Sequence, residues 1–66
     1  MTWMTIFYPR DGGPLEEYYH QTRQQAIDHA DLLAADDDAP DLYSEIRVVR
    51  YDFTTGETVV FSRILL

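Results

Sequence analysis

The sequence predicts an α+β domain in which one helix lies on a four-stranded antiparallel sheet, in the order β-β-α-β-β. Three observations carry that expectation. An aromatic and β-branched run opens the chain, a capped apolar stripe of helical period occupies its middle, and two alternating runs close it around a glycine-bearing turn. At 66 residues this is a single domain, residues 1–66. A chain of that length buries only roughly 60% of the surface its unfolded form exposes, so its stability is marginal.

The first strand is predicted over Thr2 to Tyr8, rich in aromatic and β-branched side chains. Pro9 to Pro14 is dense in turn residues: Gly12 and Gly13 accept positive φ, and each proline sets its own φ. Leu15 to His20 alternates loosely and reads as a second strand hairpinned to the first. The rival reading makes it the opening turn of the helix, with Pro14 ahead of two glutamates in its favour.

Thr22 marks the sharpest boundary. Thr22-Arg23-Gln24-Gln25 has the spacing of a capping box, in which the threonine hydroxyl accepts from the Gln25 amide and the Gln25 side chain reaches back. Ala26, Ile27, Ala30, Leu33 and Ala34 then form one apolar stripe, with Gln24, Asp28 and Asp31 on the opposite face. The helix is expected to end near Ala35 or Asp36. Asp36, Asp37 and Asp38 sit at the negative end of the helix dipole, and Pro40 disfavours helical geometry in the residue before it.

Leu42 to Phe53 alternates, with Leu42, Ile46 and Val48 on one face and Tyr43, Glu45, Arg47, Val49, Tyr51 and Phe53 on the other. Thr54-Thr55-Gly56 reads as a three-residue hairpin loop with Gly56 left-handed, and Glu57 to Leu65 as the last strand. The register expected from that loop pairs Tyr51 with Val59, Val49 with Phe61 and Ile46 with Ile64. It places Leu42, Ile46, Val48, Val60 and Ile64 under the helix. Tyr43, Val49, Tyr51, Val59 and Phe61 are left on the second face, a large apolar surface for a monomer to leave wet. A partner is expected there, a second copy of the chain being one candidate.

Charge narrows the function. Twelve acidic residues face five basic ones, all arginine, for a formal net charge of −7. Direct nucleic-acid binding needs cations that displace phosphate counterions, so this class is excluded. An acidic surface serves solubility, and it also steers basic partners toward itself. No cysteine is present, which removes disulfides, thiolate metal sites and thiol nucleophiles. No apolar run is long enough to cross a bilayer, and the N-terminus lacks a basic and then apolar leader, so a cytoplasmic location is expected.

Catalytic and metal motifs are sparse. His20 and His29 are nine residues apart without a His-Glu-x-x-His arrangement, and read as solvated histidines flanking the helix start. Ser44 and Ser62 sit in no nucleophile motif. The aspartate run lacks the alternating order and distal glutamate of a calcium loop, leaving calcium a minor alternative. Gly12-Gly13 lacks the Gly-Lys-Ser/Thr ending of a phosphate loop. No cofactor, metal or catalytic residue is therefore expected.

The candidate partner-binding residues form two groups. Asp28, Asp31, Asp36, Asp37, Asp38, Asp41 and Glu45 are expected to cluster around the end of the helix as an acidic array for a partner's arginines or lysines. Their placement against the helix dipole is the local conflict that suggests function. Tyr43, Tyr51 and Phe61 represent the aromatic sheet face.

In size, acidity and element order, the chain resembles the small phage-encoded anti-CRISPR proteins, some of which are single-helix sheet domains. The likeness covers the whole order of strand, turn, strand, Thr22-capped helix and hairpin. It rests on no diagnostic motif, so no functional residue carries over from it. The resemblance implies an inhibitor in the host cytoplasm that mimics DNA, docks on a basic nucleic-acid channel such as that of a CRISPR effector, and blocks DNA access. The alternative is a general interaction or regulatory module, an antitoxin-like partner or an assembly subunit, that uses the aromatic sheet face. A small enzyme or ligand-binding protein is the third reading.

Overall fold

A computed structural model describes residues 2–65. The elements run β1 (Thr2–Pro9), β2 (Glu16–His20), α1 (Arg23–Ala34), α2 (Ala39–Leu42), β3 (Tyr43–Asp52) and β4 (Gly56–Ile64). The α+β class and the four-stranded antiparallel sheet are as expected; α2 is an addition. Residues 16–20 form a strand, which decides between the two readings of that segment.

The sheet order is β2-β1-β3-β4. β2 and β3 both run antiparallel to β1, hence parallel to each other. A chain leaving β2 must cross the sheet before it can enter β3, and that crossing carries α1 over one face of β1 and β3. Among the described residues, no helix lies on the other face.

α1 begins as its sequence dictates. Thr22 Oγ1 accepts from the Gln25 amide at 3.1 Å, and Gln25 Oε1 accepts from the Thr22 and Gln21 amides. Ala26 and Ala30 are fully buried, and Ile27, Leu33 and Ala34 pack beside them. The small alanines let the helix come close enough for Thr5, buried in the centre of β1, to donate its hydroxyl to the Ala26 carbonyl at 2.8 Å. That bond satisfies Thr5, whose whole side chain is buried beneath the helix. Phe7, Ile46 and Val48 complete this core, with Ala39 and Leu65 closing its end. Complete burial of a side chain such as Ile46 contributes about 1.5–3 kcal/mol.

After α1, the aspartates fold into a turn rather than a disordered run. The Asp38 amide donates to Asp36 Oδ1 at 2.9 Å, and α2 follows with Pro40 in its first turn, where the missing N–H costs no helical bond. β3 therefore starts at Tyr43, and Leu42 ends α2 exposed instead of lying under α1. Arg10 ties this corner together: its guanidinium donates to the carbonyls of Pro40, Tyr43 and Leu65.

The last hairpin departs from the expected register. Phe53 to Thr55 form the turn, Asp52 pairs with Gly56, and Gly56 takes φ +80° as anticipated. Tyr51 then faces Glu57, Val49 faces Val59, Val48 faces Phe61 and Glu45 faces Ile64. Between Val48 and Val49 the register shifts by one residue, with Val60 unpaired as a bulge in β4. Since neighbouring side chains alternate faces, one inserted residue reverses the faces of everything beyond it. Phe61 turns to the helix side, and Ile64 turns to the uncovered side, 61% exposed. Both assignments reverse the expected ones.

Candidate functional site

The uncovered sheet face follows from the pairing. Met4, Ile6 and Val49 are buried at its centre, shielded by Tyr8 and neighbouring long side chains rather than by another element. Around them stand Tyr19 at 67% exposure, Tyr51 at 40%, Val59 at 51% and Ile64. Phe53, 95% exposed, projects from the adjoining hairpin turn. Tyr19 pairs with Met4 and Thr2 with Tyr51, so the two tyrosines stand on either side of β1. Between them lies a concave pocket of about 320 Å³, lined by Thr2, Met4, Glu17, Tyr19, Tyr51 and Glu57. That volume lies at the lower end of the range for small-ligand sites. Among the described residues, two carboxylates and no cation line it.

The same face holds one complete arginine arrangement. The Arg47 guanidinium lies 4.9 Å from the centre of the Tyr8 ring and is ion-paired to Glu45 through its Nε. Ser62 donates to Glu45 at 3.0 Å. Together these bonds hold the Glu45 carboxyl below the ordinary carboxylate range, the Arg47 contact contributing most.

Sequence reasoning placed several site residues differently. Asp28 and Asp31 are exposed on α1, Asp36, Asp37 and Asp38 are exposed between the helices, and Asp41 lies in α2. Glu45 does not join them, because the alternation of β3 points it to the face away from α1, where Arg47 neutralises it. Tyr43 also leaves its expected group. A register shift between Tyr8 and Pro9 accompanies its placement on the helix side, where its ring packs against Phe7 at 5.4 Å. Phe61 is on the helix side through the β4 bulge, and Tyr51 alone of the three aromatic candidates lines the uncovered face.

On the helix side, β2 contributes a polar ladder that the sequence did not reveal. Tyr43 donates to both Glu16 carboxylate oxygens at 2.9 and 2.8 Å, and Tyr18 donates to the same carboxylate at 3.1 Å. The hydrogen bond to Glu16, with burial and the carboxylate charge behind it, pushes the Tyr43 phenol up to about 12. Further along, His20 Nε2 and His29 Nδ1 are 3.0 Å apart, and His29 stacks edge-on against Phe7 and Tyr18. The histidines are thus partly buried and bonded to each other, not solvated as expected. Burial, and secondarily the nearby His20, lower the His29 pKa. Glu16, Tyr18 and His20 share this face through the two-residue period of β2, the one signal that could have grouped them.

Among the described residues, no three metal-binding side chains converge. No helix among them is long and apolar enough to cross a membrane. No family model, curated protein or solved structure matches the chain.

Proposed function

We propose that this protein is a non-enzymatic binding module whose uncovered sheet face docks on a basic surface of a nucleic-acid-handling protein and occludes it. The observation that carries the reading is the exposure of Tyr19, Tyr51, Val59 and Ile64 on a face without a helix, in a chain of net charge −7. Exposed aromatics supply contact area, and surrounding carboxylates supply steering and selection for a cationic partner. Asp28, Asp31, Asp36, Asp37, Asp38 and Asp41 extend the negative field beyond the face and accelerate encounter. Inhibition of a CRISPR effector in the manner of anti-CRISPR proteins is the sharpest form of this reading, with the host cytoplasm as its setting.

Self-association through this face is disfavoured. An isologous dimer applies the same patch twice, bringing Glu17 and Glu57 of one copy toward those of the other.

The test is capture of partners from a host lysate at low and high salt, followed by competition. The reading expects a basic nucleic-acid-binding protein that elutes with salt and loses its DNA when the purified chain is added. A salt-resistant neutral partner would refute it and favour the assembly-subunit reading. In that case Tyr51→Ala would abolish capture at any salt concentration.

A further inference from the structure

We propose that the pocket between Tyr19 and Tyr51 is a receptor for an arginine side chain supplied by the partner. The proposal rests on the functional reading above and names the group that the uncovered face recognises.

This face already holds an arginine of its own. Arg47 lies over the Tyr8 ring and pairs with Glu45, so one tyrosine and one carboxylate on this surface hold one guanidinium. A few residues away the same chemistry is repeated without an arginine. Tyr51 faces Glu57 across β3 and β4, and Glu17 lies two residues from Tyr19 on the same side of β2. The pocket thus has two phenol rings and two carboxylates, with Thr2 and the soft thioether of Met4 lining it too.

Tyr19 and Tyr51 stand on strands separated by β1, two inter-strand spacings or roughly 9.6 Å apart across the sheet, and offset by two residues or roughly 6.8 Å along it. A guanidinium lying against either phenol keeps its edge donors free for Glu17 or Glu57, a fork geometry that an ammonium cannot reproduce.

The chain's own arginines do not fill it. Arg10 is committed to three carbonyls and Arg47 to Glu45. Arg50 and Arg63 pair with Trp3 and Ile46, which places both on the helix side. Arg23 opens α1 on that same side. None of the five arginines supplies the pocket's cation.

The probe is a synthetic peptide of alternating arginine and glycine, titrated into the labelled protein and followed by NMR. Matched peptides carry lysine or citrulline in place of arginine. We expect shifts concentrated at Glu17, Tyr19, Tyr51 and Glu57, tighter binding of the arginine peptide than the lysine one, and no binding of the citrulline one. Tyr19→Ala and Tyr51→Ala should each weaken binding roughly three- to thirtyfold, the range of a cation–π contact from exposed to desolvated. Tyr51→Phe keeps the ring and should bind nearly as well, and the amide spectrum of each variant reports whether it is folded. Glu17→Gln and Glu57→Gln should weaken binding and flatten its salt dependence. Shifts confined to Asp36–Asp41, equal affinity for lysine and arginine peptides, or indifference to the tyrosine substitutions in folded variants would each overturn the proposal. If a basic partner is captured and the arginine peptide does not bind, the pocket assignment fails and the functional reading stands. If the peptide binds and no basic partner is captured, the reverse holds.

Discussion

Phe61 and Val59 stand two residues apart on β4, yet the bulge at Val60 puts them on opposite faces. Phe61 packs half-buried against the core beneath α1, while Val59 is 51% exposed on the uncovered face. Truncating a fully buried phenylalanine to alanine costs about 3–5 kcal/mol, so a half-buried one should cost about 2 kcal/mol. The same truncation at Val59 removes two carbons already half in water and should cost about 0.8 kcal/mol. A domain of 66 residues has a total stability of roughly 3–10 kcal/mol, so Phe61→Ala removes a large share of it. Its melting temperature should fall by about 8–16 °C, against about 3–6 °C for Val59→Ala. Urea unfolding followed by the fluorescence of Trp3, the single tryptophan, reads both variants, since Trp3 packs against the same core as Phe61. Equal losses, or a larger loss for Val59→Ala, would mean that the bulge is absent and the face assignments reversed.

Other perturbations test the remaining structure. Tyr43 has its folded pKa raised above 10, so its contribution is fully present below pH 10 and is lost as the pH rises toward about 12. Alkaline unfolding of the wild type should show this decline, and Tyr43→Phe should remove much of it; an unchanged profile would disconnect the phenol from Glu16. The His29 pKa is lowered from 6.5, so its contribution is present above pH 6.5 and is lost as the pH falls below that value. Melting temperatures between pH 8 and pH 5 should decline for the wild type and stay flatter for His29→Gln, and parallel curves would refute the assignment. Thr22→Ala removes the hydroxyl of the capping box and should cost about 1 kcal/mol, measured by urea unfolding. A neutral result there would mean that tertiary packing alone holds the start of α1.

The candidate site was only half legible in the sequence. Tyr51 and the idea of an uncovered aromatic face were available from the alternation of β3, and the negative charge was available from composition. Glu17, Tyr19 and Glu57 were not singled out, because β2 is short and polar on both faces and its alternation does not say which side meets the helix. Strand order decides that these residues share a face with Tyr51, since β1 joins β2 to β3 in one sheet only after the chain has crossed it. Glu45 was grouped with the aspartates by nearness in sequence, whereas the two-residue period of β3 sends it to the opposite side.

Local chemistry determined the start of α1, the left-handed Gly56 and the existence of the four strands. Each depends on interactions within a few residues: a hydroxyl on a nearby amide, a missing Cβ, an alternating run. The β2-β1-β3-β4 order, the bulge at Val60, the pairing of His20 with His29 and the pocket between Tyr19 and Tyr51 were decided only by tertiary structure. These depend on contacts between distant segments, and a one-residue shift in pairing exchanges the two faces of a strand without altering its local sequence pattern.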